Sequence, residues 1–518
     1  MSLSARFLLV NPYYSISETP SPPLGLAFIA AALERAGVEV KILDCVVFPY
    51  RRQRLASLLQ DFAPQFIGAT AVTMTVDAAL AVISDAKDLD PDIRTVLGGP
   101  HVTFCAQQTL AGNPALDFIV LGEGEQTIVE LVHSIMGGGP LEQVAGLAYR
   151  RGHGILQTGP RDLLNIDSLP LPARHLVPLG RYRALGMPIS MTTSRGCPFP
   201  CIFCVGRKMG GAKVRYRDPL KVVDELQALA RFGFHQINLA DDLFTANRRH
   251  CLSVCDEILK RGLIIPWTAF ARVDTVSAEV LAGMKAAGCH TISFGVESGN
   301  AAILERVRKG ITLDQVIAAV QLCNQAGITP HASFILGLPG ETQETIAETL
   351  AFGERLTAMG VLYGFHLLAP FPGTEVRDHF QHYGLRILSQ DWRDYHANRA
   401  IVETERVKQD QLDAIAIKWE EKFNQWLAEM AIHRKEGQIS AEQAWPLTKL
   451  EHTVVLYDMM MGGILEAHGT WPQSQPGPQG GQGVERLAEK VSAHLNHGPQ
   501  QVVATLRYAV AQGHLTAT

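Results

Sequence analysis

The chain has 518 residues, 47% hydrophobic and 19% charged, with a formal net charge of −5. That is an ordinary well-cored globular composition, of a length that suggests roughly two to four domains, and with no long basic run nucleic-acid binding has no electrostatic support. The longest apolar run, 24–33, stops at Glu34 and Arg35, short of the ~20 residues of a membrane span, so at most peripheral membrane contact is expected. The first residues lack a signal-peptide layout, and the nine cysteines suit a reducing compartment, so the expected location is the cytoplasm.

Residues 6–11 read as a buried strand and 24–36 as an amphipathic helix closed by Gly37. The segments 38–43, 66–70, 94–98 and 117–121 read as further strands, separated by helical stretches such as 76–88. Short apolar strands between longer helices predict an α/β, doubly wound (Rossmann or flavodoxin-like) parallel sheet. Ligands of such sheets sit beyond the carboxyl ends of the strands. Those ends carry Thr70, Thr73 and Thr75, then Gly98, Gly99, Pro100 and His101, then Gly122, Glu123, Gly124 and Glu125. Glycines there let a flat macrocycle approach the backbone, and hydroxyls and carboxylates offer hydrogen bonds. Together these groups resemble the cobalamin-binding domain that often precedes radical S-adenosylmethionine (SAM) domains. The resemblance implies such a domain over 1–142, with cobalamin contacts from Thr70, Thr73, Thr75, Gly98, Gly99, His101, Gly122, Glu123 and Gly124. The Asp-x-His-x-x-Gly motif whose histidine ligates cobalt in many such domains is absent, which allows base-off binding without a protein histidine. His101 is then a ligand, a nearby hydrogen-bonding group, or a histidine in a helix-start turn.

Residues 143–188 carry hairpin and loop signals followed by a Leu/Pro-rich stretch at 169–173, and read as a connection between domains. Next comes Cys197-Pro-Phe-Pro-Cys201-Ile-Phe-Cys204. Pro198 and Pro200 forbid a regular helix and keep the run a loop. Three thiolates in so short a loop can hold three irons of a [4Fe–4S] cube, and with no fourth cysteine at comparable spacing one iron stays open. The rival, a structural zinc, usually wants paired cysteines and four protein ligands. From 189 to 375 a βα rhythm returns, with strands at 187–193, 236–240, 267–272, 291–297, 329–336 and 364–368. Helices at 219–232, 248–262, 277–287, 312–326 and 342–358 separate them.

Cys-x3-Cys-x2-Cys with Phe203 before the last cysteine resembles the radical SAM enzymes. The resemblance implies a partial (β/α)6 barrel over 189–385, SAM bound on the open iron, and an electron donor such as a flavodoxin or ferredoxin. It also implies roles at strand ends: Asp241 and Asp242 toward the SAM amino group, and Glu297 and Ser298 toward the ribose hydroxyls. Arg272 meets the SAM carboxylate or the substrate, or forms a structural ion pair. Ile335 packs the adenine, although the fifth-strand pattern fits loosely: Ser333 replaces a glycine and Glu341 lies one residue late. The run 368–374 resembles the closing strand of cobalamin-type members.

Residues 386–518 read as a mostly helical region. Over 408–431, Trp419, Phe423 and Trp426 fall on one stripe, expected to be buried. The Pro/Gly/Gln-rich run 473–483 reads as a flexible link, followed by helices at 484–495 and 499–512. Met459, Met460 and Met461 form either core or the wall of a greasy pocket. Cys251 and Cys255 share a helix face, as buried small side chains or as part of a second metal site. The resemblance implies a cobalamin-dependent radical SAM methyltransferase in which a radical opens an unactivated carbon to methylation. A small hydrophobic substrate is expected, with a hopanoid-type lipid favoured. The alternative keeps both cofactors for an oxidative ring closure on a tetrapyrrole, as in the anaerobic magnesium-protoporphyrin ester cyclases; a cobalamin-binding sensor with a vestigial cluster domain is a third.

Overall fold

All but the first residue of strand β1 (Arg6–Asn11) are buried, which requires cover on both faces of the strand. The computed structural model, which describes residues 5–14, 20–468 and 482–515, supplies it. β2 (Glu39–Asp44), β3 (Phe66–Thr70), β4 (Arg94–Gly98) and β5 (Phe118–Val120) lie parallel to β1 in the order β2-β1-β3-β4-β5. The helices are α1 (Leu24–Arg35), α2 (Arg52–Phe62), α3 (Val76–Leu89), α4 (Pro100–Gly112) and α5 (Glu125–Gly137). Leu26, Leu33, Ile128 and Leu131 of α1 and α5 pack on one face of the sheet. Leu55, Ile83 and Leu110 of α2, α3 and α4 pack on the other. The expected doubly wound sheet is therefore present, and its strand order reverses between β1 and β3, where such sheets open a crevice. The hairpin expected within the connection continues this sheet: β6 (Leu147–Arg151) pairs antiparallel with β5, and β7 (Gly154–Gln157) with β6. Leu147, Ala148 and Tyr149 are buried there and cover the edge of β5.

The second sheet starts at β8 (Ile189–Met191). A short ribbon follows, β9 (Ser194–Arg195) antiparallel to β10 (Arg215–Tyr216), and the cysteine run lies in the loop it closes. Then come β11 (Ile237–Leu239), β12 (Trp267–Ala271), β13 (Cys289–Glu297), β14 (Thr329–Leu336) and β15 (Leu362–Leu367). They form one all-parallel six-stranded sheet in the order β15-β14-β13-β12-β11-β8, the expected partial barrel. Helices after five of these strands start on side-chain caps, Asp218, Asn247, Ser277, Thr312 and Thr342, each accepting from a first-turn N–H. The apolar core lies between strands and helices, where Trp267, Phe294 and Phe334 are fully buried. The Trp267 indole N–H donates to the Ala287 carbonyl at 2.7 Å. Cys251 and Cys255 belong to this wall, beside Cys289 and Cys323, and among the described residues no three His, Cys, Asp or Glu side chains converge on a single metal ion.

Beyond the barrel, strands Leu385–Ile387 and Val402–Thr404 pair antiparallel, and helices Gln409–Lys435, Trp445–Gly462 and Pro499–Ala511 follow. Trp419 packs on Tyr363 and Phe365 of β15, with ring centroids 4.9 and 4.7 Å away. Phe423 and Trp426 are 52% and 43% exposed, against the expected buried stripe. The reason is length: at 1.5 Å per residue a helix of 27 residues runs about 40 Å, twice the ~20 Å of a six-residue strand, and overshoots it. Met459 and Met460 are buried in the C-terminal core. Most of the expected flexible link, 473–481, lies outside the described residues. Among the described residues no helix is long and apolar enough to cross a membrane.

This division between wall and lumen has a measurable consequence. Trp267→Ala is expected to lower unfolding stability by about 3–5 kcal/mol, the range for deleting a buried aromatic, whereas Ser293→Val on the inner face shifts it by less than about 1 kcal/mol. Urea unfolding of the two variants checks this, and comparable losses would place the core elsewhere.

Candidate active site

The crevice at the switch point holds a cavity of about 320 Å³. Its inner walls are apolar, made by Phe7, Leu9, Leu26, Ile29, Val96 and Ile128, and its mouth is set by Thr70, Gly98, Gly99, Gly122, Glu123 and Gly124. One mouth position requires glycine: Gly99 has φ +105°, and a Cβ there would lie 2.6 Å from the Ala71 carbonyl oxygen. At Gly124 a Cβ would fit only tightly, 3.0 Å from Val120 Cγ1 and 3.1 Å from Ile29 Cδ1. Arg195, Met209, Gly210 and Asp242, from the other sheet's loops, complete the lining.

These residues frame the cysteine loop. At its neck Gly196 has φ +106°, and a Cβ would sit 2.8–2.9 Å from the carbonyl oxygens of Gly210, Gly211 and Lys213. The Gly196 N–H donates to Asp242 Oδ2 at 2.9 Å. Asp241, fully buried, accepts from the Thr193 N–H (2.6 Å), Thr193 Oγ1 (2.5 Å) and Ser194 Oγ (2.8 Å). Inside the loop the Ile202 N–H donates to the Val307 carbonyl, and the Ile202 carbonyl accepts from Val376 N–H. The Gly206 N–H points at Cys204 Sγ, 3.3 Å away. Burial pushes the Cys201 and Cys204 thiols up, and neighbouring thiols of the trio add to the rise. At Cys201, Lys309 and Arg272 oppose the effect of burial, as cations do wherever a thiolate is to be held.

Opposite the loop, β13 is bulged between Gly295 and Glu297, and Glu297 takes a left-handed φ of +72°. A non-glycine residue so placed marks a site held by its surroundings. Its Oε1 accepts from Lys309 Nζ at 2.7 Å, both side chains buried. Arg272 is paired with Asp274 and lies 3.5 Å over the Phe199 ring of the cysteine loop.

One ionic clasp joins the two halves. Arg195, next to the loop's neck, reaches Glu125 at 2.7 Å and Glu123 at 3.3 Å, and Arg215 grips both oxygens of Glu123 at 2.7 and 2.8 Å. Burial tends to raise the Glu123 carboxyl, but the two arginines outweigh it and hold it below the usual range. The clasp sits at the cavity mouth and at the root of the cysteine loop at once.

The same two halves appear in comparisons with known proteins. The profile of the B12 binding domain matches residues 16–132 and that of the Radical SAM superfamily residues 191–353. The uncharacterized methyltransferase PH0819 of Pyrococcus horikoshii is 37% identical over 73% of this chain and 82% of its own length. The chain belongs to the cobalamin-binding radical SAM enzymes. The anaerobic magnesium-protoporphyrin IX monomethyl ester cyclase of Cereibacter sphaeroides is 33% identical over 66% of this chain, which spans 59% of that protein. The solved structure of the cobalamin-dependent SAM radical enzyme OxsB, with aqua-cobalamin and SAM bound, shares the fold. It has a TM-score of 0.71 at 18% identity and covers all of this chain and 82% of its own. The cofactors of the chain are cobalamin, a [4Fe–4S] cluster and SAM.

The residues present fit these groups. A glycine-rimmed apolar cavity suits a flat macrocycle and its aromatic appendage, and three thiols on one loop suit a cube with an open corner. Of the positions expected at cobalamin, Thr70, Gly98, Gly99, Gly122, Glu123 and Gly124 line the cavity. Thr73, Thr75 and His101 do not. Thr75 Oγ1 bonds the Val72 N–H and carbonyl. His101 lies 3.4 Å from Thr73 Oγ1 and edge-on to Trp392, and burial with nearby Arg377 pushes its pKa down to about 4. Of the three readings open for His101, this geometry favours the helix-start histidine. Ser298 is buried, its Oγ facing Thr349 and capping Asn300 N–H, whereas Phe203 and Ile335 meet in one apolar cluster. Glu341 turns back to accept from the Gly337 and Leu338 N–H groups at 2.6 and 3.1 Å. Arg195, Arg215, Lys309 and Trp392 escaped the sequence reading, their partners being remote along the chain.

Arg195→Gln is expected to cost about 3–5 kcal/mol, because it leaves Glu125 buried without its cation, and to lower cobalamin retained through gel filtration. Arg195→Lys keeps part of both. Retention and thermal unfolding equal to wild type in Arg195→Gln would contradict the clasp.

Proposed function

We propose that this protein is a cobalamin-dependent radical SAM methyltransferase that methylates a carbon beyond the reach of polar chemistry. The observation that carries the reading is the shared boundary of the two cofactor sites: Arg195, Gly210 and Asp242 belong to the loop region of one sheet and line the cavity of the other. A radical centre and a methyl donor are needed together only where one substrate must meet both. The 37% identical relative, a methyltransferase by name, supports the same chemistry. When bound, the three cofactors supply a hydrogen-abstracting radical and a transferable methyl group.

In this reading Cys197, Cys201 and Cys204 would hold the cluster, and the absence of a fourth thiol on the loop would leave a corner for SAM. Asp241 and Asp242 act as braces: one fixes the end of β8 through Thr193 and Ser194, the other fixes Gly196 at the loop's neck. Glu297 keeps its second oxygen for the ribose hydroxyls while Lys309 neutralises its charge. Phe203 and Ile335 form the apolar side against which adenine packs. Arg272 steadies the cysteine loop by stacking on Phe199. Gly99, Gly122 and Gly124 let the macrocycle close on the strand ends, and Leu26, Ile29 and Ile128 keep water from its appendage. An external electron donor such as a flavodoxin or ferredoxin supplies the reducing electron.

Ring closure, suggested by the cyclase relative, would use the same residues and differs in the fate of the methyl group. Anaerobic turnover of the reconstituted enzyme with cell extract and SAM carrying a labelled methyl group separates them. The expected result is equal 5′-deoxyadenosine and S-adenosylhomocysteine with label in a new product, and no 5′-deoxyadenosine from Cys201→Ala. Abundant 5′-deoxyadenosine with an altered, unlabelled product would replace methylation by cyclisation.

A further inference from the structure

The inner face of the partial barrel reads in horizontal rows, because residues in register on neighbouring strands point the same way. The lowest row is Ser190, Asn238, Thr268, Thr291 and Thr329. Above it lie Phe270, Ser293, His331 and Leu362, and above those Gly295, Ser333 and Gly364. A βα barrel that fills its own interior does so with Val, Ile and Leu, and here those positions are mostly small, hydroxylic or amide.

The lowest row satisfies much of itself. Asn238 Oδ1 accepts from Thr268 Oγ1 at 2.8 Å and from Gln236 Nε2 at 2.6 Å, and Thr291 Oγ1 meets His290 Nδ1 at 2.9 Å. The middle row does not. His331 Nδ1 is buried with no hydrogen-bond partner, a state that folded proteins rarely leave without one. Two strands away, across Ser293, Phe270 is 52% exposed, an open aromatic face in the same row as a hydroxyl and an imidazole. At Gly364, just above, a Cβ would meet nothing within 4 Å, so the space over the row is open. The cations and carboxylates at the top of the lumen are already matched, Arg272 with Asp274 and Lys309 with Glu297. Ser293 lies four residues below Glu297, about 13 Å at 3.3 Å per residue, so a molecule anchored in this row extends upward to bring its reacting carbon to the strand ends that face the cysteine loop.

We propose that the lumen row of Phe270, Ser293 and His331 binds the substrate, and that the substrate is a water-soluble, uncharged molecule with hydrogen-bonding groups around a planar ring. The ring stacks on Phe270, and its polar edge meets Ser293 and His331 Nδ1. A hydrocarbon lipid would leave both polar groups unpaired, and a charged molecule would find no free counter-charge in the row. The expected greasy pocket also lacks its wall, since Met459 and Met460 are consumed in the C-terminal core. This assignment rests on the methyltransferase reading.

The test divides a methanol–chloroform extract into its aqueous and chloroform phases and supplies each separately to the reconstituted enzyme with methyl-labelled SAM. Label in a product of the aqueous phase is expected. His331→Leu then cuts that label at least tenfold with cobalamin and iron content at wild-type levels, and His331→Asn, which restores a donor, recovers it to within threefold. Label confined to the chloroform phase, or undiminished in His331→Leu, overturns the polar-substrate inference and leaves the methyltransferase reading standing. 5′-Deoxyadenosine without label in either phase overturns the methyltransferase reading and this inference with it.

Discussion

Four charged side chains tie the two sheets together at the mouth of the cavity and the root of the cysteine loop. Glu123 and Glu125 stand at the carboxyl end of β5, where a doubly wound sheet presents its ligand, and Arg195 and Arg215 stand on the ribbon that closes the cysteine loop. Largely removed from water, such pairs resist sliding, because a displaced partner would leave its counterpart buried and unmatched. The cavity of one sheet and the cysteines of the other are thereby held in one relative position, as the proposed shared substrate requires.

Around that joint the rigid and the reactive parts are separated. The barrel keeps its apolar mass between strands and helices, with Trp267, Phe294 and Phe334 outside the sheet, and leaves its lumen to Ser293, His331 and Ser333. Left-handed backbone serves the site: Gly99 and Gly196 hold conformations that a side chain would clash with, and Glu297 holds one despite its side chain. A scaffold packed on its outer face can bear such backbone, and a polar inner face can change its chemistry without unmaking the fold.

What the sequence discloses follows the range of the interactions. Both sheets were legible because alternation of short apolar strands with helices is a local pattern, and the cysteine loop because its spacing and prolines lie within a few residues. The glutamates of β5 were also visible, but their arginines are 72 and 92 residues away, and no local signal links them. Paired with those arginines, a carboxylate expected to face cobalamin is seen to secure the joint. Asp241 and Asp242 looked like two equal SAM contacts, and only the fold shows them bracing the strand end and the loop's neck. His101 likewise cannot be read without Trp392, which the chain supplies long after. The helix Gln409–Lys435 shows the remaining kind of error: periodicity locates an apolar stripe but not how far its neighbour extends beneath it.

The central claim is that cobalamin and the cluster occupy one composite site. Electron paramagnetic resonance of the enzyme carrying cob(II)alamin and the reduced cluster tests it most directly. Each signal is expected to be broadened or split by the other, and the coupling to weaken when Arg195 is replaced by Gln. A spectrum equal to the sum of the two centres measured singly would contradict it.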